Sequence, residues 1–361
     1  MSEKNSTELP FLVDRALKYS EKDKEDILRS FGLPRIALVG IGGAGNNTIN
    51  RIETMGKIEG VETIAINTDR LHLDAIHADK KVLIGKPFRG LVTGGIPELG
   101  RKAAELSRDT LEDILRDKDI VFITAGMGGG TGTGASPVIV EIAKKAGAIV
   151  IAMVTFPFEA ESKRRKKAAA EGIEELRKVT DTVIVLENDK LMKYAKDLPL
   201  NEAFAVMDQL MAETVRGISE TITQPSLVNF DFADIIAVLG RGDFAMLLVG
   251  ETAKEENRPL AVVQDALSHP WLGVDCKGAK GALIHITGGE DLTMKETNDI
   301  VELLTYELDP EAIVIWGAKI SDEYKGKISA IAIMTGVHWK TLANLTKDNM
   351  EQKTLKGLIK V

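Results

Sequence analysis

The sequence predicts an α/β protein: a parallel sheet clothed by helices, a long central helix, and a second, smaller α/β domain. Three observations carry that prediction. From Arg35 onward short apolar runs alternate with amphipathic helical segments, the pattern of βαβ units. Clusters of glycine stand where strands would end, which is where ligands bind in such sheets. An unbroken apolar stripe of helical period, Phe204 to Ile222, separates two stretches of this kind.

The elements follow in order. Residues 1–34 read as a solvated helical extension, with Pro10 opening a helix, Leu12, Ala16, Leu17 and Tyr19 as a partial apolar face, and Gly32 and Pro34 stopping it. Residues 35–200 form the first α/β domain. Its strands are Ile36–Val39, Val61–Ile66, Ile120–Thr124, Ala148–Thr155 and Thr182–Leu186; its helices are Ala44–Met55, Arg101–Asp117, Pro137–Ala146 and Glu161–Val179. Residues 201–224 form the central helix, whose stripe of Phe204, Met207, Met211, Val215, Ile218 and Ile222 spans about 30 Å at about 1.5 Å per residue. Residues 225–336 form the second domain, with β-type runs at Ile235–Leu239, Ala245–Val249, Gly281–Ile286, Ala312–Ala318 and Ile328–Met334. Helical segments at Pro259–Ser268 and Thr293–Leu308 separate them. Residues 337–361 carry five lysines against one Asp and one Glu and read as a flexible tail.

Composition narrows the function classes. A chain of 361 residues with 44% hydrophobic and 28% charged residues is globular and long enough for about two domains. A single cysteine, Cys276, excludes an intrachain disulfide and fits a reducing compartment. The first thirty residues lack an apolar signal core, and the longest apolar run, Ala148 to Val154, is far short of the ~20 residues of a membrane span. A cytoplasmic protein without a membrane span is expected. The net charge of −8 speaks against nucleic acid as a partner, and Lys163-Arg164-Arg165-Lys166-Lys167 reads as a solvated helix face. Five scattered histidines and one cysteine supply no metal-ligand spacing, so no protein-held metal is expected.

Two glycine clusters carry the chemistry. Gly40-Ile41-Gly42-Gly43-Ala44-Gly45-Asn46-Asn47 joins a strand to a helix and contains G-x-G-x-x-G, which lets backbone approach a phosphate at a helix N-terminus. Gly128-Gly129-Gly130-Thr131-Gly132-Thr133-Gly134 follows the strand Ile120–Thr124; five glycines in seven positions expose consecutive N–H groups as an anion nest, and two hydroxyls add donors. Neither cluster carries a Walker A lysine, so a P-loop enzyme is excluded.

The GGGTGTG motif and the alternating domain beyond it resemble the tubulin/FtsZ superfamily, in its prokaryotic cell-division branch, from about Arg35 to Val337. The resemblance implies a Rossmann-like GTPase domain, GTP or GDP as ligand with Mg²⁺ held through its phosphates, and head-to-tail polymerisation into a division ring hydrolysing GTP between subunits. It implies that Gly42, Gly43, Ala44 and Asn46 line the first phosphate loop, that Asn67 and Asp69 belong to the next loop, and that Gly94 and Gly95 lie in a γ-phosphate loop running from Arg89 to Pro97. Gly129, Gly130, Thr131, Gly132 and Thr133 would be the phosphate cradle. Glu161 and Arg165 would serve the ribose, and Asn188, Phe204 and Asp208 the guanine. A carboxylate opposite the guanine N1–H and exocyclic amine is sound chemistry, since both are donors. Asn229, Asp231 and Asp234, in Asn229-Phe230-Asp231-Phe232-Ala233-Asp234, match the loop that completes a neighbouring subunit's site by orienting water. The closing residues Leu355 to Val361 would be a docking peptide for a membrane-tethering adaptor, or a plain disordered end.

Departures from the family pattern keep alternatives open. Val92 and Thr93 stand in the γ-phosphate loop where the family has glycine and alanine, Ser162 replaces a glycine after Glu161, and Met207 replaces an alanine before Asp208. A scaffold that binds nucleotide with poor hydrolysis, or an auxiliary paralogue, is one alternative. A nicotinamide-dependent oxidoreductase, resting on G-x-G-x-x-G with Asp69 downstream, is another, although it leaves GGGTGTG without a role.

Overall fold

In the computed structural model, which describes residues 34–85, 93–190, 197–223, 232–240, 243–254, 256–268 and 274–339, the alternation expected from the sequence is realised with shifted boundaries. The first half runs β1 (Ile36–Ile41), α1 (Gly42–Met55), β2 (Val61–Asn67), α2 (Arg70–Ala75), β3 (Lys80–Leu83), α3 (Pro97–Glu105) and α4 (Arg108–Leu115). It continues with β4 (Ile120–Gly126), α5 (Thr131–Lys145), β5 (Ile149–Phe156), α6 (Lys163–Val179) and β6 (Thr182–Glu187). Then come α7 (Leu200–Thr223), α8 (Phe232–Leu239), β7 (Asp243–Thr252), α9 (Arg258–Ser268), β8 (Val274–Asp275), β9 (Gly281–Gly288), α10 (Met294–Thr305), β10 (Ile313–Ile320) and β11 (Ile328–Trp339).

Among the described residues, ten strands lie in the order β10-β9-β11-β7-β6-β5-β4-β1-β2-β3, and β8 pairs with the end of β11. From β3 to β7 every pairing is parallel; β11 alone runs antiparallel, to β7 on one side and β9 on the other. The strands of the two halves share one sheet, joined where β6 pairs with β7. Alternate residues feed two apolar layers. Ala37, Val39 and Ile41 of β1 enter the layer under α3 to α6, while Ile36 and Leu38 enter the one that α1, α7 and α8 cover. Leu38 is fully buried, so truncation to alanine there costs about 2–5 kcal/mol.

Four boundaries differ for identifiable reasons. The helix expected over Arg101–Asp117 is two, α3 and α4, broken at Leu106 and Ser107, where the Ser107 hydroxyl accepts the N–H of Gly85 at 3.0 Å. The run Ile235–Leu239 is helical, not a strand: Ile235, Val238 and Leu239 are buried and Ile236 exposed, a helical period that five apolar residues conceal. Helix α5 starts at Thr131 rather than near Pro137, so the glycine motif supplies its first turn. Val337, His338 and Trp339, placed in the tail by the sequence, extend β11. The expected helical extension over 1–33, residues 89–92, Asn229, Asp231 and the tail beyond Trp339 lie outside the described residues.

Helix α7 matches its expected span; Met207, Met211, Val215 and Ile218 are buried along its stripe. Among the described residues no helix is long and apolar enough to cross a membrane.

Candidate functional site

The strand order reverses between β1 and β4: the chain proceeds outward from β1 through β2 and β3, then returns to β4 and proceeds the other way. Ligands bind at such a reversal, beyond the carboxyl ends of the strands. Two adjoining cavities of about 490 and 540 Å³ open at that place and share Ala44, Gly126 and Arg165.

Two helix N-termini meet at the smaller cavity. Ile41 precedes α1 and Gly130 precedes α5; neither offers a capping side chain, and neither helix has an acidic residue in its first turn. Their free N–H groups and the positive ends of both helices are left for an anion. The two starts pack closely: Gly42 has φ +71°, and a Cβ there would lie 2.9 Å from the N of Gly132. Gly43, Ala44, Gly129, Gly130, Thr131 and Gly132 line this cavity from the two glycine loops, and Gly94 and Gly95 line it from the loop before α3. Thr131 ties three segments together, its hydroxyl 2.9 Å from that of Thr68 and 3.3 Å from that of Thr93.

Three of the expected phosphate residues support the cavity instead of lining it. Gly42 provides the close approach just described. Asn46 is fully buried. With its amide nitrogen turned to the carbonyls of Gly40 (2.8 Å) and Ile66 (3.3 Å), it accepts from Asn67 Nδ2 at 2.9 Å, tying the first glycine loop to β2. Thr133 accepts the N–H of Gly128 at 2.8 Å and so shapes the second glycine loop. Asn67 and Asp69 line the cavity while ordering their own loop: Asn67 Oδ1 accepts the N–H of Thr68 at 2.9 Å, and Asp69 caps α2 by accepting the N–H of His72.

The larger cavity has a different chemistry. Phe158 and Phe204 form an edge-on pair with centroids 6.1 Å apart, Met207 and Met211 contribute apolar wall, and Asn188, Glu161 and Asp208 bring polar groups. Asp208 is 7% exposed. Its carboxylate accepts from the Thr48 hydroxyl at 2.7 Å and lies 2.6 Å from Arg51 Nε. Burial pushes its carboxyl above the usual carboxylate range, and Thr48 and Arg51 pull against that shift. Glu161 accepts the N–H of Phe158 at 3.0 Å and pairs with Arg165 at 2.8 Å, holding the segment between β5 and α6. Ser162 caps α6 through the N–H of Arg165 at 3.3 Å, a use of the hydroxyl that a glycine there would lack.

An anion cavity thus adjoins a pocket of aromatic walls and a buried carboxylate, which is the division a nucleotide presents between phosphates and base. Asp234 lines neither cavity; it is exposed in the first turn of α8, which packs on β9 and β10. Thr48 and Arg51, one helical turn apart on α1, and His72 at the phosphate cavity, none of them singled out by the sequence, complete the site; Arg164, read from the sequence as part of a solvated helix face, also lines that cavity. The positions of Thr48 and Arg51 three apart, in register with the phosphate loop, were the available signal.

Comparison with known proteins agrees with this geometry. The Tubulin/FtsZ family GTPase domain matches residues 35–196, and the FtsZ family C-terminal domain matches residues 243–338. The chain is 54% identical over 325 residues to cell division protein FtsZ 2 of Haloferax volcanii, covering 90% of this chain and 80% of that protein. It is 55% identical over 329 residues to cell division protein FtsZ 2 of Methanocaldococcus jannaschii, covering 90% and 86%. An empty FtsZ dimer of M. jannaschii superposes with a TM-score of 0.80 at 46% identity, covering 88% of this chain and 92% of that one.

Proposed function

As a member of the tubulin/FtsZ family this chain is a GTPase, and we propose that it acts in cell division by assembling head to tail into filaments. The observation that carries the reading is the pair of uncapped helix starts at the β1–β4 reversal, set against a pocket with a buried carboxylate.

In this reading the first turns of α1 and α5 hold the phosphates through backbone N–H groups, with Gly129 to Thr131 and Gly94-Gly95 around them. Glu161 and Arg165 meet the ribose. Phe204 covers the base, and Asp208 with Asn188 reads its edge, so that adenine, with the reverse donor pattern, leaves buried polar groups unpaired. No group of three or more His, Cys, Asp or Glu able to hold a metal occurs among the described residues, and Asp69 is the one carboxylate on the phosphate cavity. Asp69, with the hydroxyls of Thr93 and Thr131, fits a Mg²⁺ held chiefly by phosphate oxygens and water, which would neutralise charge there.

Hydrolysis needs a group to orient water, and the chain's candidates, Asn229, Asp231 and Asp234, belong to the segment around α8. Strand β9, on which α8 packs, stands five strands from β4, about 24 Å at ~4.8 Å per strand. Asp234 therefore serves a second copy's phosphates rather than its own, which makes the contact heterologous and the assembly open-ended. We assign the closing residues of the chain to an adaptor at the membrane, and the protein to the division site in the cytoplasm.

GTP hydrolysis across a protein dilution series, with ATP as control and light scattering alongside, tests the reading. Turnover per molecule should fall steeply below a critical concentration, with GTP only. Asp234→Ala should keep GTP affinity, lose most turnover and lengthen filament lifetime. Turnover per molecule that stays flat on dilution would mean a site complete in one subunit and refute the shared arrangement.

A further inference from the structure

Trp339, the last residue of β11, is 5% exposed, and its ring touches the ends of three neighbouring strands. Its indole packs edge-on against Phe156, the last residue of β5, with centroids 5.3 Å apart. It lies 5.7 Å from Phe244 at the start of β7, a ring capped in turn by the Arg177 guanidinium at 5.6 Å. Its Nε1–H donates to Glu187 Oε1 at 2.8 Å, and Glu187 closes β6 and pairs with Lys190 at 3.0 Å. The segments that leave these strand ends are the ones that line the larger cavity: Pro157, Phe158 and Glu161 after Phe156, and Asn188 directly after Glu187. Trp339 itself does not line that cavity. Backbone pairing of Trp339 with Val274 and of His338 with Asp275 holds the ring's own strand in place.

We propose that Trp339 is a positioning residue for the nucleotide pocket, setting the ends of β5 and β6 in the register that brings Phe158, Glu161 and Asn188 onto the nucleoside. It rests on the nucleotide reading of the two cavities. The indole N–H fixes β6 through Glu187, the indole edge fixes β5 through Phe156, and one rigid ring therefore sets the spacing between the two segments. A nucleoside pocket held in this way is preformed before the ligand arrives, so its loss shows in affinity rather than in the turnover of bound GTP.

Trp339→Phe keeps an aromatic ring beside Phe156 and Phe244 and removes the N–H donor. Trp316→Phe, the same exchange on β10 at the far edge of the sheet, serves as the matched control. GDP titrated into nucleotide-free full-length protein should bind about five- to tenfold more weakly in Trp339→Phe, the loss a buried donor to a charged acceptor accounts for. Turnover at saturating GTP should stay within about twofold of the parent, the split that separates ground-state binding from the chemical step. Glu187→Gln, which keeps an acceptor for the indole, should bind GDP close to the parent, and Glu187→Ala should match Trp339→Phe. Parental affinity in a folded Trp339→Phe protein overturns the proposal, as does an equal loss in Trp316→Phe. A parent protein that binds no GDP overturns the nucleotide reading, and this inference with it.

Discussion

His285 is a histidine buried in the core of the second half, and acid should destabilise the protein through it. The residue sits on β9 at 7% exposure, its ring set against α7 so closely that a Cβ on Gly217 would lie 3.5 Å from its Cδ2. Thr287 Oγ1 lies 3.2 Å from its Nε2. Burial first, and the Lys319 ammonium second, lower its pKa from 6.5 to about 4; Lys319 is itself paired with Glu220 at 2.9 Å. Because the folded value lies below the unfolded one, the unfolded chain takes up the proton first, and stability falls as pH drops from about 6.5 towards about 4. Integrating between pH 7.5 and pH 5.0 gives a loss of about 2 kcal/mol from this one group. His285→Gln removes the titration, so the difference in unfolding free energy between parent and variant isolates it from other groups titrating over the same range. Urea unfolding followed by far-ultraviolet circular dichroism at the two pH values should show the parent losing about 2 kcal/mol more than the variant. A parent–variant difference that is the same at both pH values within about 0.5 kcal/mol would refute the burial assigned to this ring.

Two further outcomes follow from the site. Asp208→Asn keeps the shape beside Thr48 and Arg51 but exchanges an acceptor for a donor; GTP affinity should drop about 10- to 100-fold, and the preference for GTP over ITP, which lacks the exocyclic amine, should shrink in a competition assay. Gly100→Ala on α3 drives a methyl into the carbonyl oxygen of Gly130, which heads α5; unfolding midpoints should fall by about 1–3 kcal/mol equivalent, and GDP binding measured on the folded fraction should fall as well.

The fold's alternation and the position of both glycine loops were legible because they depend on local pattern: an apolar strand, a glycine-rich exit, an amphipathic helix. What the sequence could not show was pairing across the chain. Nothing in Thr182–Leu186 or Ala245–Val249 announces that β6 and β7 lie side by side, so the continuity of the sheet from one half to the other was hidden. Strand β3 and helix α2, of four and six residues, are too short to show a period. The start of α5 was misplaced because glycine and threonine are poor helix formers, yet there they form an uncapped first turn that faces the smaller cavity. Gly43, Gly129 and Thr131, which the motif picks out, line the smaller cavity, whereas Arg51 and Thr48 were hidden among ordinary helix residues whose partner, Asp208, lies far along the chain.

The shared sheet also bears on how the molecule carries force. In the head-to-tail filament proposed above, tension entering a subunit through α8 would cross the strands to reach the phosphate loops. The narrowest crossing is the seam between β6 and β7, where pairing runs only from Thr182 with Asp243 to Ile184 with Ala245, against Ile151 with Thr182 through Phe156 with Glu187 on one side and Ile328 with Thr252 through Val337 with Phe244 on the other. With the fewest paired residues on that route, the seam would be the compliant joint of such a subunit. A load on that route would shear it first, and the aromatic contacts beside it, from Phe156 to Phe244 across Trp339, would set how much of that load reaches the pocket.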